Sequence, residues 1–227
     1  MTVTLITGAT RGIGLATARR LTELGHTVYV GARDAARGGE VAAAIGARSV
    51  QLDVTDDASA AAAVASIDAD EGRLDVLVHN AGVQDLTLDA AAARNSFEVN
   101  AVGIVRVTEA ALPLLRRSSN PNVVTVSSSA GSFWAVTNPD RVEHGLPLAL
   151  YSASKAAATM LTVQYAKANP GMRFNAIEPG TTATDMTAAF GVGRPPAQTA
   201  EFVVRWATLG PDGPTGTFQD ESGVLPW

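Results

Sequence analysis

The sequence predicts an α/β fold with one mostly parallel sheet of about seven strands and helices on both faces. Short apolar runs bounded by turn residues alternate with alanine-rich segments of helical period, which is typical of βαβ units. A glycine-rich turn over residues 7–14 joins the first apolar run to the first helical segment. The 227 residues can form one sizeable core, so we expect a single domain over residues 1–227.

The individual elements follow from apolar runs and from the helix-period segments between them. Strands are expected over residues 3–7, 27–31, 48–52, 74–78, 122–126, 172–177 and 216–218. Helices are expected near residues 12–24, 35–45, 57–70, 96–116, 150–169 and 197–208. Turn residues predict one loop before Tyr151 and another over residues 191–196.

Composition excludes several classes of protein. The net charge of −5 gives no basic footprint for nucleic acid or anionic lipid. The absence of cysteine excludes disulfides and Cys-ligated metal, and we expect no metal site. No apolar run approaches membrane-spanning length, and a first strand beginning at Val3 leaves no room for a signal peptide. We therefore expect a cytoplasmic protein without a membrane partner.

The glycine-rich turn has the context of a pyrophosphate site in a doubly wound Rossmann fold. Gly8, Gly12 and Gly14 permit a tight turn, and the following helix offers free N–H groups to phosphates. Their spacing, Gly-x-x-x-Gly-x-Gly, differs from the commoner Gly-x-Gly-x-x-Gly. A purely structural turn is the alternative interpretation.

An ordered set of motifs follows this turn and makes the whole chain resemble the short-chain dehydrogenase/reductase family. These motifs are Leu52-Asp53-Val54, Asn80-Ala81-Gly82, Asn100, Ser128, Tyr151 with Lys155, and Pro179-Gly180 with Thr182 and Thr184. The resemblance implies a carbonyl-reductase-like oxidoreductase that prefers NADP(H). Hydride would pass between the nicotinamide and a ketone, an aldehyde or a secondary alcohol.

Tyr151 and Lys155 are the central pair of the predicted site. Residues four apart share one face of a helix, so the ammonium can lie beside the phenol. At about 4 Å and an effective dielectric near 20, the attraction is roughly 4 kcal/mol, which would lower the phenol pKa by up to about three units. Tyr151 is thus expected to exchange the proton, while Lys155 would also bind the nicotinamide ribose. A non-catalytic sensor or scaffold, and an epimerase or dehydratase, are the alternatives.

The resemblance adds two members to this catalytic set. Ser128 would position the substrate oxygen, and strand alternation places Ser127 and Ser129 on the opposite face. Asn100 would support a water leading from Lys155 to solvent. Its alternative role is a helix residue bonded to its own backbone.

The cofactor contacts are also implied by the resemblance. They are Gly8, Thr10, Arg11, Gly12, Ile13, Gly14, Arg33, Asp53, Val54, Asn80, Ala81, Gly82, Tyr151, Lys155, Pro179, Gly180, Thr182 and Thr184. Ala32 stands where NAD-preferring members usually carry an acid, and Arg33 and Arg11 can bind a 2′-phosphate. Asp34 is the rival, since a shift of two positions would restore that acid. Asp53 would bond the adenine, or else serve a turn or helix cap.

Three features depart from the family pattern. Ser128 and Tyr151 are 23 positions apart, so residues 132–148 carry an insertion. Monomeric carbonyl reductases have a related insertion over the helix face that other members use to dimerise; here we expect a homodimer rather than a tetramer, with a monomer possible. His79 replaces an asparagine and is expected to be packed or capping. The segment over residues 185–196 is expected to form a small lid.

The predicted substrate pocket consists of residues that flank the motifs. They are Val83, Gln84, Phe133, Trp134, Met186 and Phe190. Large apolar surfaces near a nicotinamide favour an aromatic or alicyclic ketone or aldehyde. Each of these residues has a core position as its alternative.

Overall fold

A computed structural model describes residues 1–188 and 191–227 of the chain. Over these residues the chain forms one eight-stranded sheet in the order β3-β2-β1-β4-β5-β6-β7-β8. The strands are β1 (Val3–Thr7), β2 (Thr27–Ala32), β3 (Arg48–Gln51), β4 (Val76–His79), β5 (Asn122–Val126), β6 (Arg173–Ile177), β7 (Thr217–Asp220) and β8 (Gly223–Val224). Neighbouring strands are parallel except β7 and β8, which are antiparallel.

Helices cover both faces of the sheet. They are α1 (Gly12–Glu23), α2 (Ala35–Ile45), α3 (Asp57–Glu71), α4 (Ala90–Phe97), α5 (Gly103–Leu115), α6 (Phe133–Thr137), α7 (Ala149–Ala168) and α8 (Pro196–Ala207). One apolar layer joins the sheet to α3, α5 and α7, and the other joins it to α1, α2 and α8. The predicted doubly wound α/β fold is confirmed.

The largest difference from the predicted elements lies in the fourth helical region. A single helix over residues 96–116 is wrong, because α4 begins at Ala90 and a π-helical segment, Glu98–Val102, separates it from α5. The Asp89 carboxylate caps α4 by accepting hydrogen bonds from the Ala91 and Ala92 N–H groups. The eighth strand was not predicted because two residues are too few to show a period.

No helix of the described part of the chain is long and apolar enough to cross a bilayer. The sheet instead provides the geometry for a site. The chain runs outward from β1 through β2 to β3, then returns to place β4 on the other side of β1. Ligands of open α/β sheets bind at such a reversal, beyond the carboxyl ends of the strands.

Candidate active site

A cavity of about 720 Å³ opens at this edge of the sheet and is lined by the loops that follow β1, β2, β4, β5 and β6. It brings together most of the residues predicted from the sequence. Those in its wall are Gly8, Thr10, Arg11, Gly12, Ile13, Arg33, Asp53, Val54, Asn80, Ala81, Gly82, Val83, Gln84, Ser128, Tyr151, Lys155, Pro179, Gly180, Thr182, Thr184 and Met186.

The glycine turn owes its shape to contacts with the loop after β4. Gly8 and Gly12 have φ angles of +64° and +56°, which disfavour other residues. A Cβ on Gly14 would lie 2.4 Å from Asn80 Nδ2 and 2.8 Å from the Gly8 oxygen. Asn80 is held there because its Nδ2 donates to the oxygens of Thr7 and Gly8 at 2.9 and 3.0 Å. The backbone of this turn is therefore open to a close ligand, although Gly14 itself supports the turn from outside the cavity wall.

The amino terminus of α1 is suited to a pyrophosphate. Arg11 occupies the N-cap position, but its side chain does not cap the helix. The first N–H groups and the helix dipole therefore offer partial positive charge. Arg11 Nη1 instead bonds Asp185 Oδ2 at 2.7 Å across the cavity mouth. Both side chains are about three-quarters exposed, so this ion pair contributes little stability.

The end of β2 places the residues on which the two cofactor interpretations depend. Ala32 is buried in the cavity wall, and Arg33 follows it there. Asp34 lies outside the wall, where its carboxylate caps α2 by accepting from the Arg37 N–H at 3.0 Å. Burial opposes the ionisation of Asp53, but hydrogen bonds from Thr55 and the charge of Arg33 outweigh it and lower its pKa.

Tyr151 and Lys155 project from one face of α7, as predicted, but their geometry differs from the expectation. Lys155 Nζ lies 5.7 Å from the centre of the Tyr151 ring and donates to the Val126 carbonyl at 2.8 Å. Burial lowers the pKa of Lys155 to about 8, an effect that the charge of Glu178 opposes. Burial and then Glu178 raise the pKa of Tyr151, against a smaller lowering effect of the Ser128 hydroxyl. The expected lowering of the phenol pKa by Lys155 is thus corrected: in this structure burial dominates.

The three consecutive serines have different partners. Ser127 Oγ lies 2.6 Å from Thr159 Oγ1 on α7. The Ser129 backbone N–H donates to Glu178 Oε2 at 2.5 Å. Ser128 lines the cavity together with Tyr151, and its Oγ accepts from the Ala130 N–H at 3.2 Å. This arrangement favours Ser128 as the serine that meets a substrate oxygen.

Asn100 lies in the π-helical segment, where its side chain links the loop at Val83 to α7. Its side chain forms a reciprocal pair with Val83, in which Nδ2 donates to the Val83 oxygen and Oδ1 accepts from the Val83 N–H, both at 2.8 Å. Nδ2 also lies 2.9 Å from Ser154 Oγ on α7. Asn100 therefore bonds other segments rather than its own helical backbone. It does not line the cavity itself.

Two of the predicted pocket residues lie elsewhere. Phe133 is 74% exposed, while the Trp134 ring lies 5.5 Å beneath the Arg141 guanidinium, and neither lines the cavity. This part of the insertion is bonded to residue Trp227 instead, because the Trp134 backbone N–H donates to the Trp227 carbonyl at 2.9 Å. Phe190 falls outside the described residues. The insertion contributes a different apolar set to the wall, namely Val142, Leu146 and Leu148.

Glu178 is a site residue that the sequence analysis missed. It lies at the end of β6 and lines the cavity beside Ser128 and Tyr151. Its Oε2 accepts from the Ser129 N–H at 2.5 Å, and its Oε1 accepts from the Gly180 N–H at 2.7 Å. An acid directly before Pro179, at the carboxyl end of a predicted strand, was the available signal.

His79 is a packed residue, as predicted. It is buried under the sheet edge, and its Nε2 lies 2.9 Å from Thr108 Oγ1. Burial lowers the pKa of its imidazole to about 3, so the ring is neutral at neutral pH. It takes no part in the chemistry of the cavity.

Comparisons with known proteins agree with this geometry. The sequence model described as short chain dehydrogenase matches residues 2–193. The chain is 33% identical to the short-chain dehydrogenase/reductase ATR10 of Stachybotrys chlorohalonatus, over 99% of this chain and 94% of that protein. The structure of salutaridine reductase from Papaver somniferum matches with a TM-score of 0.83 at 27% identity, covering 96% of this chain and 99% of that chain.

A third match contains a bound cofactor. The active-site complex of Pseudomonas aeruginosa RhlG with NADP has a TM-score of 0.84 at 26% identity and covers 97% of this chain and 94% of that chain. The glycine turn, the Tyr151–Lys155 pair and the sheet order occur here in one chain that the family model matches over most of its length. The chain therefore belongs to the short-chain dehydrogenase family of oxidoreductases.

Proposed function

We propose that the protein transfers a hydride between NADP(H) and a ketone or aldehyde, or the corresponding secondary alcohol, with Tyr151 as the acid–base group. The observation that carries this proposal is that the hydroxyl-bearing residues Ser128 and Tyr151 line the same cavity as the glycine turn. These two hydroxyls supply a proton and a fixed position for a carbonyl oxygen.

The residues of the cavity fit a dinucleotide. The backbone around Gly8 and Gly12 and the free end of α1 would hold the pyrophosphate. Lys155, on the same wall as Gly82 and Pro179, would bind the nicotinamide half. When bound, the cofactor supplies or accepts the hydride.

A preference for NADP(H) is supported by the end of β2. Ala32 puts no carboxylate against a 2′-phosphate, and Arg33 and Arg11 both line this end of the cavity. Asp34 is engaged in capping α2, which disfavours the NAD-type alternative. Arg11 would exchange or share its bond with Asp185 when it meets the phosphate.

The electrostatics of the site favour the reductive direction. Burial and Glu178 keep the proton on Tyr151 at neutral pH, so the phenol is ready to donate it to a substrate oxygen. Lys155 is charged below about pH 8 and would offset the negative charge left on Tyr151. Asn100 positions α7 and the loop at Val83 so that these groups keep their places.

The substrate class is inferred from the apolar wall. Val83, Met186 and the insertion residues Val142, Leu146 and Leu148 line the same cavity as the Ser128 and Tyr151 hydroxyls. Such a surface favours an aromatic or alicyclic carbonyl compound. The substrate class is the one predicted from the sequence, but these residues support it in place of Phe133 and Trp134.

Our expectations of a cytoplasmic homodimer are unchanged. The insertion is bonded to the C-terminal residues through Ser132 and Pro226. Phe97 and Val102 are apolar residues that are 37% and 41% exposed. A partner copy would cover them. Light scattering at several protein concentrations measures this assembly, and a monomer throughout would contradict it.

The decisive experiment is a screen of ketones and aldehydes with NADPH and NADH in parallel, with Tyr151→Phe as the blank. We expect NADPH consumption that falls about 10²–10⁴-fold in Tyr151→Phe, because the proton donor is lost. NADPH binding without consumption across the panel would indicate the sensor or scaffold instead. A changed product without net NADPH consumption would indicate an epimerase or dehydratase.

A further inference from the structure

The carboxylate of Glu178 is fixed at the wall of the cavity where the Tyr151 and Ser128 hydroxyls meet. Its two oxygens accept the backbone N–H groups of Ser129 and Gly180 at 2.5 and 2.7 Å. These bonds tie the loop after β5 to the loop after β6. The side chain therefore cannot turn away to solvent without breaking both bonds.

The cations around Glu178 are bonded to other groups. Arg141 pairs with Glu143 at 2.9 Å, and Arg194 pairs with Glu221 at 2.6 Å. Within residues 1–188 and 191–227, Glu178 forms no salt bridge of its own. The ammonium of Lys155, which lines the same cavity, is bonded to the Val126 carbonyl. Burial raises the pKa of Glu178, while the N–H bonds from Ser129 and Gly180 favour its charged form. The Glu178 carboxylate therefore faces the cavity without a cation bonded to it.

The position of this charge bears on what the site accepts. Charges act more strongly where apolar walls exclude water, and the wall here includes Val142, Leu146 and Leu148. A substrate carboxylate in this space would meet Glu178 with like charge. A protonated amine would be attracted to it and could donate to its unfilled lone pairs.

On the basis of the proposed reductase function, we propose that Glu178 determines substrate charge: it favours carbonyl compounds that carry a protonated amine and disfavours those that carry a carboxylate. Glu178 acts here as a specificity-determining residue. It does not exchange the reacting proton, which stays with Tyr151. Neutral ketones are accepted between these two extremes.

The test uses three cyclohexanones that differ only in the group opposite the carbonyl: methyl, dimethylaminomethyl, which is protonated at neutral pH, or carboxylate. The quantity measured is kcat/KM with NADPH for each ketone, in the wild-type protein and in Glu178→Gln. We expect the wild-type protein to prefer the amine over the carboxylate by about tenfold or more, and Glu178→Gln to reduce that ratio by about tenfold. Because the ratio is taken within one variant, a general loss of activity cancels.

Two further variants make the result specific. Glu178→Ser removes the same charge with a smaller side chain, and it replaces Glu178→Gln if that amide prevents folding. Glu201→Gln makes the same charge change on α8, at an exposed residue paired with Arg20 and outside the cavity wall. This control should keep the wild-type ratio.

The outcomes separate the two proposals. Reduction of the methyl ketone with an unchanged amine-to-carboxylate ratio in both Glu178 variants would overturn the role of Glu178 and leave the reductase function standing. A ratio that also falls in Glu201→Gln would show a long-range charge effect and would equally overturn it. Failure of the wild-type protein to reduce any of the three ketones, or any member of the wider panel, would overturn both.

Discussion

The two ends of the cavity are built from different kinds of groups. At the cofactor end, backbone atoms and glycines of the turn after β1 meet the loop at Asn80, and the contacts come from short runs of sequence. At the substrate end, side chains from the insertion, from α7 and from the loop after β6 converge, and they include the buried titratable groups of Lys155 and Glu178. The cofactor end therefore depends on the close packing of the backbone, while the substrate end depends on the positions of titratable side chains.

After the loss of the Tyr151 hydroxyl, the largest effect expected at the substrate end is the loss of the Ser128 hydroxyl. Ser128→Ala should lower kcat for ketone reduction about 10²-fold, because it removes a hydrogen bond that fixes the reacting oxygen. Ser127→Ala should retain most activity, since its hydroxyl is bonded to Thr159. Ser129→Ala should also retain most activity, and turnover of all three variants makes the comparison. An active Ser128→Ala together with an inactive Ser127→Ala or Ser129→Ala would reverse the assignment.

At the cofactor end, the corresponding test is one of shape. Gly14→Ala should lower the free energy of unfolding by about 1–3 kcal/mol, because its Cβ would overlap Asn80 and the Gly8 oxygen. Gly39→Ala is the matched control on α2, where a Cβ meets nothing within 4 Å, and it should stabilise by about 0.4–1 kcal/mol. Urea unfolding measures both changes. Equal effects of the two substitutions would mean that the glycine turn is not closely packed.

The choice of cofactor tests whether charge matters at this end as well. Arg33→Ala should weaken NADPH binding about tenfold while leaving NADH binding nearly unchanged, since it removes one charge-assisted bond to the 2′-phosphate. Asp34→Ala is the control, which should cost about 1 kcal/mol of stability as a lost helix cap but leave the cofactor preference alone. Titration calorimetry with both cofactors gives the affinities. If Arg33→Ala weakens NADPH and NADH equally, the proposed preference fails.

The smallest expected effect is a shift in pH dependence at the substrate end. Burial lowers the pKa of Lys155 to about 8, so its charged form predominates below that pH and is lost as the pH rises through it. kcat/KM for reduction should therefore fall above about pH 8. Glu178→Gln should move this alkaline limb to lower pH, because the Glu178 charge raises the pKa of Lys155. A full pH–rate profile measures this shift. If kcat/KM falls at the same pH in Glu178→Gln as in the wild-type protein, the titration of Lys155 is not the cause of the fall.

The sequence predicted the two ends to different degrees. The glycine turn and the shared helical face of Tyr151 and Lys155 depend on spacing alone, so a single sequence is sufficient to predict them. The direction of the Lys155 ammonium depends on its bond to the Val126 carbonyl at the end of β5. The spacing of residues in the sequence does not predict that bond.

The insertion shows the same limit more strongly. Ser132 Oγ donates to the Pro226 carbonyl at 2.6 Å, and this bond joins residues 94 positions apart. Together with the Trp134–Trp227 bond, it turns the aromatic residues outward and presents Val142 and Leu146 instead. The π-helical turn at Asn100 was not predicted either, because a segment of five residues is too short to show a period of its own.

The central claim is that hydride moves between the nicotinamide and a carbonyl carbon in this cavity. It is tested most directly by supplying NADPH deuterated at C4 of the nicotinamide with a ketone that the protein consumes, and by locating the deuterium through mass spectrometry. We expect deuterium on the carbinol carbon of the alcohol and the same label at a strongly reduced rate in Tyr151→Phe. An alcohol without deuterium from either stereoisomer of the labelled cofactor, or an undiminished rate in Tyr151→Phe, would contradict it.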